Sequence, residues 1–216
     1  MLIGLAACGE SVPASTPESS TFAAESSAPE TKEREAETST DAGSVPVETA
    51  ELPDSEPAHK KVLVVVFSAT GTTKGVAEKI AAIEDADLYE IKAEQEYTAA
   101  DLNWNDSNSR STIEQNDSAA RPGIGSERIS LAGYEKIYIG FPIWWGEEPR
   151  IMDTFVESYD FDGITMIPFC TSSSSGIGRS GRNLEENAKS GTWLDGERFP
   201  GSVSEAELRD WIDGLQ

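Results

Sequence analysis

Apolar residues in the C-terminal three-quarters of this chain come as short unbroken runs, each followed by a stretch with helical spacing. Val62-Leu63-Val64-Val65-Val66-Phe67 is the first such run. A continuous run rich in β-branched residues predicts a strand buried on both faces of a parallel sheet. Residues 68–73 turn the chain, and a helical pattern follows through about Ala82. Residues 88–91 predict a second, shorter strand, residues 136–141 a third and residues 165–170 a fourth; residues 191–194 make a poor fifth. Helices are expected over 149–158, with Pro149 suited to the first turn, over 181–189, and after Ser204. Glu207, three residues past Ser204, completes a capping box. Strand and helix alternate throughout, which predicts βαβ units and an α/β fold: a parallel sheet with helices on both faces.

Two stretches break the pattern. Residues 93–130 are long and polar; 97–102 read as a helix start, and 104–117 are rich in Asn, Asp and Ser. A segment of that length inside a compact domain predicts a functional element such as a lid. Residues 9–59 are mostly Ser, Thr, Glu, Pro and Ala, with Phe22 as the one aromatic. They carry too little apolar surface to offset the entropy of ordering and predict a disordered acidic tether. Residues 60–216 are enough for one domain with one core.

The 216-residue chain has a formal net charge of −22, and its Lys and Arg form no cluster. That excludes a nucleic-acid partner, whose phosphates demand clustered cations. The acidity fits a soluble protein steered toward a basic patch on a partner. The one histidine, His59, lies outside the folded part, which excludes Ser-His-Asp and Cys-His catalysis there. The two cysteines, Cys8 and Cys170, sit in unrelated contexts and predict no disulfide framework. Leu5-Ala6-Ala7-Cys8 looks like a bacterial lipobox, with cleavage before Cys8 and a lipid on its sulfur. No basic residue precedes the short apolar run, which a signal peptide calls for. The Ser/Thr/Glu/Pro-rich segment after Cys8 is what a surface tether requires. The expected location is the extracytoplasmic face of the cell membrane, held by the lipid. No stretch approaches the roughly 20 apolar residues of a spanning helix.

Three loops carry candidate chemistry, and all fall at carboxyl ends of predicted strands, where open sheets of this kind bind ligands. The first holds Ser68, Thr70, Gly71, Thr72 and Thr73 ahead of a helix. Hydroxyls, a glycine and helix amides suit a monoester phosphate. Its spacing matches neither a Walker A loop nor Gly-x-Gly-x-x-Gly. The second is Pro142-Ile143-Trp144-Trp145-Gly146. Two adjacent tryptophans cannot both turn inward easily, so one of them offers a stacking platform for a flat ligand. The third, Thr171-Ser172-Ser173-Ser174-Ser175-Gly176, offers small residues and backbone amides that can approach the polar edge of a ring.

These residues carry a resemblance. Ser68-Ala69-Thr70-Gly71-Thr72-Thr73 resembles the phosphate loop of flavodoxins, and Gly140-Phe141-Pro142-Ile143-Trp144-Trp145-Gly146 resembles the aromatic flavin loop of a bacterial branch of that family. Residues 167–172 with Gly176-Ile177-Gly178 are similar to that branch's third loop. Trp104-Asn105-Asp106, Ser109-Arg110 and Ala120-Arg121-Pro122 resemble its insert. The resemblance spans about Lys61 to Leu215. It implies a doubly wound five-stranded sheet in the order 2-1-3-4-5 and one non-covalent FMN. The first loop would hold the phosphate, Trp144 or Trp145 would stack on or flank the ring, and Thr171, Ser172 and Gly176 would meet its pyrimidine edge. Trp104 and Arg110 would cover the site. Ser173-Ser174-Ser175 departs from the glycine-rich form expected there. The two ring loops carry no Lys or Arg, which disfavours an anionic reduced flavin and predicts a low potential for the last electron. The implied function is electron transfer to a redox protein or small acceptor. The alternatives are an NAD(P)H-dependent flavin or quinone reductase and a surface binding protein that has lost FMN.

Overall fold

The computed structural model describes residues 61–215. The readings made on Cys8 and on residues 9–59 lie outside the described residues.

Strand β1 (Val62–Phe67) is central and pairs in parallel with β2 (Asp87–Ile91) on one side and β3 (Lys136–Pro142) on the other. Beyond β3 lies β4 (Thr165–Thr171). The sheet order β2-β1-β3-β4-β5 is the expected one. The fifth position differs in detail, because it is filled by two short pieces, β5 (Thr192–Trp193) and β6 (Glu197–Phe199), both parallel to β4. The strand predicted over 191–194 contains β5, and β6 was not predicted. The interruption faces Pro168 of β4, which has no amide hydrogen to offer a neighbour.

Strand periodicity of two sends successive side chains to opposite faces. Leu63, Val65 and Phe67 of β1 join Ile137, Ile139 and Phe141 of β3 in one core. Helices α3 (Arg150–Glu157) and α4 (Ser180–Ala188) close it with Ile151, Met152, Phe155, Val156 and Leu184. Val64, Val66, Tyr138, Ile167 and Phe169 form the opposite core under α1 (Thr72–Glu84) and α5 (Glu205–Asp213). Both faces are thus covered, as unbroken apolar strands require. On β3, Gly140 leaves room for Phe169, whose ring carbon lies 2.2 Å from where a Cβ would stand.

The capping box at Ser204 and Glu207 is present. Pro149 is the N-cap of α3 and lies just outside its first turn, because its ψ of 140° is extended. Residues 97–98 are irregular and 99–102 form a turn where a helix start was expected. The insert instead holds a helix further on, α2 (Arg110–Asn116). A stem closes the insert: Ala93 bridges Ile124, Glu94 N–H donates to Gly123 O at 2.8 Å, and Gly125 N–H donates to Lys92 O at 2.8 Å. No helix among the described residues is long and apolar enough to cross a membrane.

Candidate functional site

The first loop leaves β1 at Ser68. Gly71 takes φ 83°, a left-handed backbone that glycine adopts freely, and turns the chain into α1. This helix has no side-chain cap and no acidic residue in its first turn. Its leading amides have no acceptor inside the helix, and its dipole favours an anion there. The exposed hydroxyls of Thr70 and Thr72 stand beside it, 3.3 Å apart. Ser68 Oγ is buried without a hydrogen-bond partner in the structure, an arrangement folded chains rarely leave unfilled. Thr73 turns inward, and its hydroxyl lies 2.8 Å from that of Thr171, tying the first loop to the third. Lys74 is drawn off to Glu90 at 2.8 Å, and that hydrogen bond holds its ammonium group above the usual lysine range.

The second loop is a tight hairpin. Trp144 N–H donates to Glu147 O at 2.9 Å and Glu147 N–H donates to Trp144 O at 3.0 Å. Its two central residues, Trp145 (φ 54°) and Gly146 (φ 87°), both have positive φ, as mirror-image hairpin turns require. Among the described residues the other non-glycine cases are Asp85 and Lys189, both at helix ends. A bulky residue with this backbone in a loop is strained, and strain of this kind gathers at functional sites. The tryptophans divide as the sequence demanded. Trp144 packs edge-on against Phe67 and Tyr97, at ring distances of 5.6 and 5.0 Å, while Trp145 is 54% exposed.

What enforces the strain comes from outside the loop. Gln115 of α2 donates from Nε2 to Trp144 O and Glu148 O, both at 3.1 Å. Arg150 is 8% exposed and donates to Gln115 O at 3.2 Å and to the Glu147 carboxylate at 3.0 Å. Glu148, fully buried, accepts from Asn183 at 3.2 Å, and Asp153 accepts from Asn187 at 2.9 Å. Burial pushes both carboxyl groups above the usual carboxylate range. The sequence reading missed Gln115, Arg150 and Glu148: Arg150 pairs locally with Glu147 and Asp153, but the links from Gln115 to the hairpin and from Glu148 to Asn183 join distant segments that only the fold brings together.

The third loop begins at Thr171, whose carbonyl accepts from Ile143 N–H at 3.2 Å and so aligns it with the second. Ser172 spends its polar groups on the protein. Its amide donates to Phe199 O at 3.4 Å, its hydroxyl donates to Ser175 O, and its carbonyl accepts from the Arg198 guanidinium at 2.6 and 3.1 Å. Ser173 to Gly176 remain exposed. Cys170, just before this loop, is fully buried, and burial pushes its thiol up to about 12, which leaves it inert.

The insert forms the far wall. Trp104 is 70% exposed, and it encloses a cleft of about 410 Å³ with Leu102, Ser111, Thr70, Ile143, Trp144 and Trp145. That volume lies within the range of small-molecule sites. Arg110 does not reach into this cleft's lining. Its guanidinium sits 4.0 Å over the Tyr97 ring, bonds Glu114 at 2.6 Å and donates to Gln95 O at 2.6 Å. Pro142 ends β3 opposite Thr171.

Residues 61–215 match the family model for flavodoxin. A candidate flavoprotein from Bacteroides uniformis ATCC 8492 is 46% identical over 72% of this chain and 99% of its own, with a TM-score of 0.68. Another from Bacteroides eggerthii DSM 20697 is 42% identical over 72% of this chain and 97% of its own, also with a TM-score of 0.68. A flavoprotein from Lactobacillus acidophilus NCFM, solved in complex with FMN, is 25% identical over 71% of this chain and 99% of its own, with a TM-score of 0.52. No curated protein matches. With three loops built on a sheet of this order and a match over the whole described domain, the chain belongs to the flavodoxin family.

Proposed function

We propose that this chain holds one FMN non-covalently and carries electrons, anchored to the outer face of the cell membrane through a lipid on Cys8. The observation that carries the FMN reading is the convergence of an uncapped helix start, an exposed strained tryptophan and a serine loop, linked through Thr73 and Thr171. The fit is direct. Ser68 Oγ lacks a partner, α1 presents open amides, and a Cβ at Gly71, Gly146 or Gly176 would meet nothing within 4 Å. Thr70, Thr72 and the α1 amides hold the phosphate. Trp145 offers its face to the ring while Trp144 buttresses the hairpin from behind. The amides of the exposed stretch after Ser172 meet the polar edge. Bound FMN supplies the electron transfer itself, and the protein sets where the ring lies and which charges surround it.

FMN titrated into the full chain tests this reading. Uptake with quenched flavin fluorescence is expected; a chain that takes up no FMN overturns it. Trp145→Asn is expected to weaken FMN binding roughly tenfold or more through lost stacking. The same substitution removes a bulky side chain from a left-handed backbone and should stabilise the free protein by about 1 kcal/mol, read by urea unfolding. Mixing the FMN form with NAD(P)H separates carrier from reductase, and rapid bleaching would assign the reductase. The anchor rests on Leu5-Ala6-Ala7-Cys8 and the polar segment after it. Cys8→Ser should move the chain from the membrane fraction to the soluble fraction, and retention there would remove the anchor from the proposal.

A further inference from the structure

The third loop has a clamp that lies 26 residues downstream of it in sequence. Arg198 sits in β6, in register with Cys170 and one residue before Phe199, the register partner of Thr171. Its guanidinium donates to the Ser172 carbonyl through two nitrogens, at 2.6 and 3.1 Å. Its neighbour Phe199 accepts the Ser172 amide at 3.4 Å. The first residue of the loop beyond β4 is thereby held at both ends of its backbone by one short strand. That strand is a three-residue piece attached to β4 after the interruption opposite Pro168, so its own pairing with β4 is brief. The other arginines near the site are engaged elsewhere. Arg110 lies on Tyr97 and Glu114, and Arg179 is largely exposed beside Glu186.

We infer that Arg198 is the positioning residue of the third loop: it fixes the Ser172 carbonyl so that the exposed amides of residues 173–176 face the cleft, and it places a cation behind the edge where reduced flavin gathers negative charge. The loop's serines do not need glycine's freedom at its base, because a fork of two hydrogen bonds does the holding. A charge-assisted bidentate bond is among the stronger ones available to a carbonyl. This inference rests on the FMN reading for its electrostatic half, while the clamp stands on the protein alone. The cation also revises the low potential expected from loops without Lys or Arg, since the charge arrives from another strand.

The test uses the full chain with Arg198→Gln and Arg198→Lys. In the protein without FMN, exchange of the Ser172 amide in the third loop, which is bonded to Phe199 O, is expected to quicken at least tenfold in Arg198→Gln, with exchange in β1 and β3 unchanged. Unchanged exchange in that loop overturns the clamp whether or not FMN binds. In the FMN form, the ratio of reduced to oxidised flavin affinity is expected to fall about tenfold in Arg198→Gln. For a two-electron couple this lowers the midpoint potential by about 30 mV. Arg198→Lys keeps the charge and loses the fork. It should hold the potential near wild type while the loop still exchanges faster. A potential that is the same in all three proteins overturns the electrostatic half. If Arg198→Gln fails to fold, Arg198→Lys alone decides, since protection of the loop equal to wild type overturns the clamp.

Discussion

Arg150→Met is expected to cost the fold about 3–5 kcal/mol, the usual penalty for removing one partner of a buried ion pair. Methionine fills similar space, so lost volume is a minor part of the effect. What remains behind is a fully buried Glu148 and a nearly buried Asp153 with their neighbouring cation gone, along with Gln115 O and Glu147 without their donor. Urea unfolding of the variant measures the loss, and a change below 1 kcal/mol would remove Arg150 from the account of the hairpin. The pH dependence gives an independent check. Burial raises the carboxyl groups of both Glu148 and Asp153. The folded state therefore binds protons that the unfolded chain has already released. Stability contributed by these two groups is complete below the ordinary carboxylate range and is lost as pH rises through their raised folded values. Acidification from neutral toward that range should stabilise the protein, and Arg150→Met should steepen the slope through Asp153, whose protonation the guanidinium opposes.

Replacing Thr70 and Thr72 together by alanine should weaken FMN binding by about 10²–10⁴. Each hydroxyl hydrogen bond to a charged phosphate contributes about 1.5–3 kcal/mol, and both side chains are exposed beside the α1 amides. Because neither hydroxyl supports the core, unfolding of the free protein should hardly change. Thr73→Ala separates the two roles. Its hydroxyl is bonded to Thr171 inside the protein, so it should lower stability and act on FMN only through the alignment of the loops. Isothermal titration with FMN and with riboflavin, which lacks the phosphate, completes the test. A double variant that loses riboflavin affinity as strongly as FMN affinity would show that these threonines do not serve the phosphate.

The strands were legible because apolar runs such as Val62–Phe67 and Thr165–Thr171 are buried on both faces, and such burial leaves a continuous trace in sequence; their order was legible only through the family resemblance that the three loops carry. Helix α2 left no trace. Its buried residues are Ser111 and Thr112, and its one large aliphatic residue, Ile113, faces solvent. The helix faces the protein with hydroxyls, so apolar periodicity misses it. The same limit applies at the loops. The sequence showed which of their residues have suitable chemistry, yet Thr73, Thr171 and Ser172 hold the loops to one another and to β6. Choosing between Trp144 and Trp145 required backbone angles, since their composition is identical and only φ and packing tell them apart. Arg150 has Glu147 and Asp153 within three residues, but its bond to Gln115 O and that of Arg198 to Ser172 O join segments that only the fold brings near.

The split in the fifth strand has a bearing on how copies of this protein behave near one another. An unbroken outer strand presents a ladder of free amides and carbonyls that another chain can extend, a route to aggregation. Here that ladder is cut into pieces of two and three residues; Leu194 N–H still donates to Met166 O at 2.9 Å, and Asp195 and Gly196 lie outside both pieces. Glu197 and Arg198 add charge at the second piece. The opposite margin, β2, is five residues long, carries Asp87 and Glu90, and is followed at once by the stem of the insert. Neither margin offers a long, flat, apolar template. Molecules at high local concentration would thus meet without zipping into a shared sheet.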